Sequence, residues 1–571
     1  MKHPSSYRYN YNISINNIIL ENFKIFRGTH LLEFADINII TGGNNSGKSS
    51  LLEFINLLSN GFASSHFPKI ELALPNNKRK EFAQLINRES QKKEIGFGFK
   101  YKSKFLNAPL EVRYTFIDGS LFNEENTMLF NSLKLFYEKK NVFSLFKEHY
   151  NDKLNEYGDF YSSPNEGNNP GQFKFNMNVE FFSKLSAGID DEGFSELFSY
   201  LFNKFGETWW GELFNEEEFN DISFTLDLND LIMEFYRDRE FNLADYNTRG
   251  IIQYSHPDSD KEYNKYELLS KELRYDDFVK NVLRPFFTEL KNHLRQLFYT
   301  TLIKNDDTFQ NAFIPARKET QYLNIIRLLF DADRDELFYY DIYSYNKFLH
   351  ISLSLFDLHG IPEIEKHFNS GFTVNFVPTE SLSDLDKGAF LKKINFLKNN
   401  HKSVNLSEMG SGTWSVFSIV LNTIASLIEL DKLNTEDNKR NINKYDGTKA
   451  PSFRKTIMLQ EPEAFLHPRW QSRLADFVVM CQNEFKLQFI IETHSEYFIR
   501  RLQYLTAQKK LKPEDLRIYY FSNPENLKKE EQQVRSLHIR EDGLMDDDFG
   551  EGFFDESTRL TIDLLKLQNQ N

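Results

Sequence analysis

Lys48 and Ser49 close the run Thr41-Gly42-Gly43-Asn44-Asn45-Ser46-Gly47-Lys48-Ser49-Ser50. Its spacing is G-x-x-x-x-G-K-[ST], which suits the cradling of a polyphosphate. Gly42 and Gly47 allow a tight turn in which consecutive backbone N–H groups point at one anion. Asn44, Asn45, Ser46 and Ser50 complete the loop expected to line the phosphates. Lys48 would reach the β- and γ-phosphates of ATP, and the Ser49 hydroxyl would hold Mg²⁺.

A phosphate cradle alone does not hydrolyse a nucleotide; metal support, a base or water-positioning group and charge stabilisation are also needed. Thr456-Ile457-Met458-Leu459-Gln460-Glu461-Pro462-Glu463 is an apolar strand ending in acids. Glu461 is placed to orient or deprotonate the attacking water. Leu487-Gln488-Phe489-Ile490-Ile491 is a second short apolar strand, delivering Glu492-Thr493-His494-Ser495. If these strands are parallel, His494 lies beside Gly42 and Glu461 and contacts the γ-phosphate. Between the two halves lies Leu406-Ser407-Glu408-Met409-Gly410-Ser411-Gly412-Thr413, followed by an apolar helix from Trp414 to Leu430. Small residues before a helix N-terminus make a second anion site. A chain that already has one phosphate loop has use for Gly410, Ser411 and Gly412 in completing the pocket of another copy. That reading predicts a head-to-tail dimer with ATP at the interface.

The positioning elements follow from periodicity. Asp36 to Ile40 suits a buried strand running into the loop, and Ser50 to Leu58 suits a helix leaving it, with Gly61 as C-cap. The helix N-terminus adds partial positive charge where phosphate would sit. Residues from about 13 to 40 read as strands, Phe23 to Gly28 among them, and Glu94–Tyr101 and Leu110–Phe116 read as an antiparallel pair. Asn151–Gln172 and Asp431–Ala450 read as polar loops. Tyr263–Ile303 reads as helical, broken near Pro285. No long run of heptads is present, which argues against extended coiled-coil arms.

Composition bounds the class. The chain has 571 residues, 40% hydrophobic and 27% charged, as in a soluble globular protein of two or more domains. The 56 phenylalanines point to large cores or an aromatic interface. The net charge of −14 argues against a broad basic nucleic-acid surface, though Lys78-Arg79-Lys80 and Lys509-Lys510 with Lys512 are local basic clusters. No apolar run is expected to reach the roughly 18 residues of a membrane span, and Met1-Lys2-His3-Pro4 has no signal-peptide character. Cys481 is the single cysteine, expected to be a buried thiol. Together these features point to a cytoplasmic protein with no membrane association.

The ordered set Gly42–Ser49, Ser407–Thr413, Gln460-Glu461 and His494 resembles the ABC-type ATPases, and within them the RecF and OLD (overcoming lysogenization defect) group. Glu461-Pro462-Glu463-Ala464-Phe465-Leu466-His467-Pro468 is similar to that group's E-P-E-x-x-L-H-P stretch. Ile314-Pro315-Ala316-Arg317 is similar to its G-P-x-R strand, and Gly552-Phe553-Phe554-Asp555 to a small C-terminal module on some members. The resemblance implies an α/β fold: a P-loop ABC-type ATPase lobe, mixed sheet flanked by helices, split by a largely helical insertion. Its expected parts are residues 1–118 and 311–510 as the lobe and 511–571 as the module; the resemblance does not extend to residues 119–310, which position and aromatic content suggest as an insertion carrying dimer or partner contacts. The resemblance also implies Lys48 on phosphate, Ser49 on Mg²⁺, Glu461 as catalytic glutamate and His494 as switch histidine. Gly410–Gly412 would act across a homodimer, and His467 would face the partner chain.

The group includes soluble ATPases of anti-phage defence and DNA repair, so a separate effector protein, such as a nuclease, is the expected partner, and nucleic acid a further one. Two residues depart from the pattern. Gln460 stands where the group usually has an acid supporting Mg²⁺; it can accept from a metal-bound water but carries no charge, so turnover is expected to be slow unless Glu463 assists. The signature loop is not L-S-G-G-Q, which weighs against a transporter subunit. The alternative is a nucleotide-gated scaffold with little hydrolysis. A third reading is a nuclease using Glu541-Asp542 and Asp546-Asp547-Asp548, a run expected instead to be a solvated acidic loop.

Overall fold

The computed structural model describes residues 11–147 apart from short breaks, isolated strands and a few residues between 148 and 409, then 410–440, 452–549 apart from 528–531, and 556–568. The strands of the first half are β1 (Tyr11–Ile13), β2 (Asn17–Glu21), β3 (Thr29–Glu33), β4 (Ile37–Gly42), β5 (Lys69–Glu71), β6 (Ile95–Tyr101), β7 (Leu110–Asp118), β8 (Thr127–Tyr137), β9 (Lys140–Lys147), β10 (Phe173–Asn178) and β11 (Asp221–Leu226). Those of the second half are β12 (Thr300–Lys304), β13 (Asn395–Leu397), β14 (Ser403–Asn405), β15 (Ser452–Phe453), β16 (Thr456–Gln460), β17 (Gln488–Glu492), β18 (Leu516–Phe521) and β19 (Val534–Leu537). The helices that matter here are α1 (Lys48–Ala63), α2 (Ser411–Arg440), α3 (Pro468–Phe485), α4 (Glu496–Ala507) and α5 (Glu556–Gln568). The chain divides into two units: Met1–Ile15 with Phe34–Asn56 and Tyr299–Asn571, and Asn16–Glu33 with Leu57–Phe298.

The first unit is built on a six-stranded sheet in the order β12-β16-β17-β4-β18-β19. Every pairing in it is parallel except the last, β18 with β19. A parallel strand covered on both faces reads as a continuous apolar run, and β4 and β17 are buried along their whole length. Ile37, Ile39, Ile457, Leu459, Phe489 and Ile491 alternate along their strands and share one core with Leu474, Phe477 and Val478 of α3 and Phe498 and Leu502 of α4. Three polar side chains in or beside this sheet, Asn38, Gln488 and Asp36, have clear partners. Asn38 donates to the Phe489 and Ala35 carbonyls at 3.0 and 2.8 Å. The Gln488 amide nitrogen donates to the Ile15 carbonyl at 2.8 Å, and its oxygen accepts from the Thr456 hydroxyl at 2.8 Å. Burial alone would raise the Asp36 carboxyl, but Arg454, which donates to it, and Gln482 hold it below the usual range. This is the mixed sheet flanked by helices that a P-loop ATPase lobe requires, with the glycine loop leaving the carboxyl end of an inner strand.

The second unit holds a nine-stranded sheet, β11-β10-β9-β8-β7-β6-β2-β3 with β5 on β8. Its pairings are antiparallel, and β7 alternates buried Leu110, Val112 and Tyr114 with half-buried Glu111, Arg113 and Thr115, as a strand wet on one face does. The hairpin read at Glu94–Tyr101 and Leu110–Phe116 is present as β6 and β7.

Several expectations are corrected. Phe23 to Gly28 is not a strand: Asn22 and Lys24 take φ of 56° and 49°, and the Asn22 side chain accepts from the Gly28 N–H at 3.1 Å, closing a turn between β2 and β3. Helix α1 runs through Gly61 to Ala63 instead of ending there. Helix α2 continues to Arg440, across half of the loop expected from Asp431, because Lys, Glu and Leu in that run are good helix formers however polar the segment. Within α2, Ser411–Ile428 is long and apolar enough to cross a membrane, contrary to the sequence reading, and 67% of it is buried inside the fold.

The antiparallel sheet runs on past residue 118 through β8 to β11. The helical segment expected over Tyr263–Ile303 lies mostly outside the described residues, and its end is strand β12, registered on β16. Residues 511–571 supply β18 and β19 to the first unit's sheet. Ile314–Arg317, Lys78–Lys80, Ser407–Met409 and Gly552–Asp555 lie outside the described residues.

Candidate active site

The parallel register brings the chemistry to one edge. Glu492 at the end of β17 stands level with Ile40 of β4 on one side and Gln460 of β16 on the other. The loops leaving these three strands therefore emerge together, carrying Gly42–Ser50, Glu461 and His494.

In the loop after β4, Gly42 and Gly47 take φ of 136° and 103°, and Asn45 takes 58°. Gly43 donates its N–H to the Phe521 carbonyl of β18 at 3.2 Å. Asn44 and Asn45 are exposed, Ser46 is buried with its hydroxyl on the Gly43 carbonyl at 2.8 Å, and Ser50 lies in the first turn of α1. Lys48 is buried, and its ammonium donates to the Gly43 and Gly42 carbonyls at 2.5 and 3.2 Å. Burial lowers its pKa, and the carboxylates of Glu492 and Glu461 oppose the shift. Lys48 is thus within electrostatic reach of two acids, Glu492 and Glu461.

Glu461 is exposed and holds φ of 45°, a left-handed conformation that costs a non-glycine residue about 1–3 kcal/mol. Its backbone N–H donates to the Glu492 carbonyl at 2.9 Å, which fixes the loop to β17. His494 is exposed, with its pKa lowered by partial burial and by the Lys48 charge against the opposing effect of Glu461. It is neutral at pH 7, so its ring can both donate and accept.

Two acids that the sequence reading left without a firm role are placed here. Glu463 is buried, and its Oε1 accepts the His494 backbone N–H at 2.6 Å. Burial raises its pKa while that hydrogen bond works against the rise. It holds the histidine loop in place. Replacing Glu463 by alanine strands the His494 N–H, and we expect about 1–3 kcal/mol of lost stability and up to about a hundredfold lower turnover through misplacement of His494. Glu463→Gln keeps an acceptor and should stay near wild type. Steady-state turnover and denaturation of both variants test this, and an alanine variant as active as wild type would exclude the role.

The second acid is Glu492. It is 1% exposed, and its Oε1 accepts from the Ser49 hydroxyl at 2.5 Å. Gln460, the residue expected to support the metal with Ser49, is half-buried beside it in the neighbouring strand. The sequence signal was an acid ending an apolar strand two residues before His494, but nothing local says which strand lies beside β4.

Gly410, Ser411 and Gly412 lie at the start of α2, and a Cβ on Gly412 would stand 2.9 Å from the Phe465 carbonyl. Phe465 has φ of 65° and is exposed, so the loop after Glu461 packs on the N-terminus of α2 while presenting an aromatic ring to solvent. His467 caps α3, its Nδ1 accepting from the Arg469 N–H at 3.3 Å. The acidic run further on is exposed and engaged locally: Asp546 with His538, Asp547 with Arg535 and Asp542 with Arg540. Cys481 is fully buried, and burial raises its thiol pKa, as a structural thiol's would be.

The donors suit a magnesium nucleotide. The Ser49 hydroxyl, Glu492 carboxylate and Gln460 amide are oxygen donors of the kind Mg²⁺ takes, and the glycine loop leaves backbone N–H groups at the start of α1.

A family model described as AAA ATPase domain matches residues 14–499. A second, a protein of unknown function (DUF3696), matches residues 511–564. An ATP/GTP phosphatase from Helicobacter pylori (strain ATCC 700392 / 26695) is 30% identical over 176 residues, 28% of this chain. The match spans 45% of that relative's length, less than half. Among solved structures, an SmcHead bound to the C-winged helix domain of ScpA aligns over 92% of this chain and 98% of its own at 11% identity and TM-score 0.38. The SMC head domain from Thermotoga maritima aligns over 90% and 96% at 10% identity and TM-score 0.30. Likenesses at these scores say nothing about what the chain does.

Proposed function

Because this chain belongs to the AAA ATPase domain family, we propose that it is a Mg-dependent ATPase whose two copies close head to tail around nucleotide. The observation that carries the reading is the common edge of β4, β16 and β17, where Lys48, Glu461 and His494 influence one another electrostatically. On binding ATP, Lys48 exchanges the Gly42 and Gly43 carbonyls for the β- and γ-phosphates. Ser49 and Gln460 would hold Mg²⁺, which would neutralise phosphate charge there. Glu461 accepts a proton from the attacking water, and neutral His494 contacts the γ-phosphate. Gly410, Ser411 and Gly412 of one copy complete the pocket of the other, and His467 faces the same partner.

By its E-P-E-x-x-L-H-P stretch the chain falls with the RecF and OLD group. Anti-phage defence is then its biology, with DNA repair as the runner-up, and a separate effector, a nuclease among the candidates, is its cytoplasmic partner. Nucleic acid is a further ligand on the same reading. The uncharged Gln460 favours one second reading, a nucleotide-gated scaffold that scarcely hydrolyses.

Steady-state ATP turnover of the purified chain beside Lys48→Ala tests the proposal. We expect turnover that rises with protein concentration in the wild type and is absent in the variant. Binding of Mg-ATP without turnover, with and without DNA, would replace the ATPase reading with the scaffold. Turnover independent of concentration would remove the dimer.

A further inference from the structure

Gln460 leaves the site short of a charge. A magnesium ion on the P-loop serine is ordinarily supported by a carboxylate at the end of the acidic strand, and here that position is an amide. The structure brings a different carboxylate to the serine.

Glu492 comes from β17, the strand between β16 and β4, and stands in register with Gln460 and with Ile40. It is 1% exposed, and burying a carboxylate there costs stability unless it is hydrogen-bonded or paired. Its Oε1 takes the Ser49 hydroxyl proton in a 2.5 Å hydrogen bond, 443 residues away in sequence. The geometry has two consequences. A serine that donates to Glu492 turns its lone pairs away from that carboxylate, toward the side where a metal would bind. The negative charge also sits close enough to Lys48 to act on its ammonium. A carboxylate bonded to a metal-binding residue orients that residue and strengthens its hold on the ion.

We propose that Glu492 is the carboxylate of the magnesium site, supplying through Ser49 and its own buried charge what Gln460 lacks. This rests on the reading of Gly42–Ser50 as a Mg-nucleotide cradle. Glu492 and Gln460 are register neighbours on two adjacent strands: one position carries the acid and the other the neutral amide. The arrangement predicts that the acid can be moved across the pair.

The test is Mn²⁺ binding followed by electron paramagnetic resonance, in the presence of ATPγS, for the full chain, Glu492→Gln and the double variant Gln460→Glu/Glu492→Gln. A fluorescent ATP analogue in EDTA measures metal-free binding in parallel. Glutamine at 492 still accepts from Ser49 but has no charge. We expect Mn²⁺ affinity to fall about 10–100-fold in Glu492→Gln, with metal-free nucleotide affinity not lowered, since removing the carboxylate leaves the Lys48 charge less opposed for phosphate. The double variant should recover most of the loss, which a misfolded protein could not do. Mn²⁺ affinity unchanged in Glu492→Gln overturns the inference and leaves the cradle intact. Equal loss of metal-dependent and metal-free binding, without recovery in the double variant, assigns Glu492 a purely structural role and also overturns it. No nucleotide binding by the wild type removes the cradle and the inference together.

Discussion

Replacing Glu461 by glutamine is expected to lower ATP turnover by about 10²–10⁴-fold, the usual contribution of a positioned general base, while ATP binding stays within about twofold. The separation follows from the structure. Glu461 is exposed, and its backbone carries the structural work by donating to the Glu492 carbonyl and accepting from the Ala464 N–H. Glutamine keeps the left-handed φ of 45° and the shape of the side chain, so stability should change by less than about 0.5 kcal/mol. Only the ability to take a proton is removed. Turnover and equilibrium binding measured on the same preparation check this. A variant that still hydrolyses at wild-type rate would move the base elsewhere. The same variant should accumulate as a dimer in ATP, seen by light scattering as a doubled mass, if hydrolysis is what reopens the pair.

Replacing Gly42 by alanine should be the most disruptive small change in the phosphate loop. A Cβ built there lies 2.0 Å from the Phe521 carbonyl oxygen and 2.7 Å from the Phe521 nitrogen, both backbone atoms of the adjacent strand β18. No rotamer can relieve that contact, and φ of 136° is itself closed to side-chain-bearing residues. Overpacking at about 1–3 kcal/mol and backbone strain at about 1–3 kcal/mol add to roughly 2–6 kcal/mol. Gly43, its neighbour, has nothing within 4 Å of the corresponding position, and Gly43→Ala should cost less than about 0.5 kcal/mol. Denaturation midpoints of the two variants make an internal comparison. Equal midpoints would mean that β18 does not lie against the loop.

The Gly42 result also bears on the end of the chain. Residues 511–571 read from sequence as an appended module, yet β18 pairs with β4 from Leu516 to Phe521 and meets the loop at Phe521. The segment that matches a family of unknown function, residues 511–564, therefore contributes a backbone acceptor to the glycine loop. Nothing in the run Leu516–Phe521, buried at every position but Arg517, distinguishes a strand of a separate module from a strand of the core, because a strand covered on both faces reads the same in either.

What the sequence determined by itself is the local chemistry. Gly42 to Ser49 carries its glycines and lysine at fixed spacing, Thr456 to Glu461 and Leu487 to His494 are short apolar strands ending in titratable residues, and each is legible because cause and effect lie within about ten residues. The local sequence leaves open whether these strands are parallel, and the pairings of β16 with β17 and β17 with β4 make them so. What only the tertiary structure decided is which strand stands beside which. That order placed Glu492 on Ser49, Phe521 on Gly42 and Glu463 under His494. Strand order is a property of the packed sheet: β-pairing depends on backbone groups that every residue carries, so the sequence of a strand specifies that it will be buried but not its neighbour.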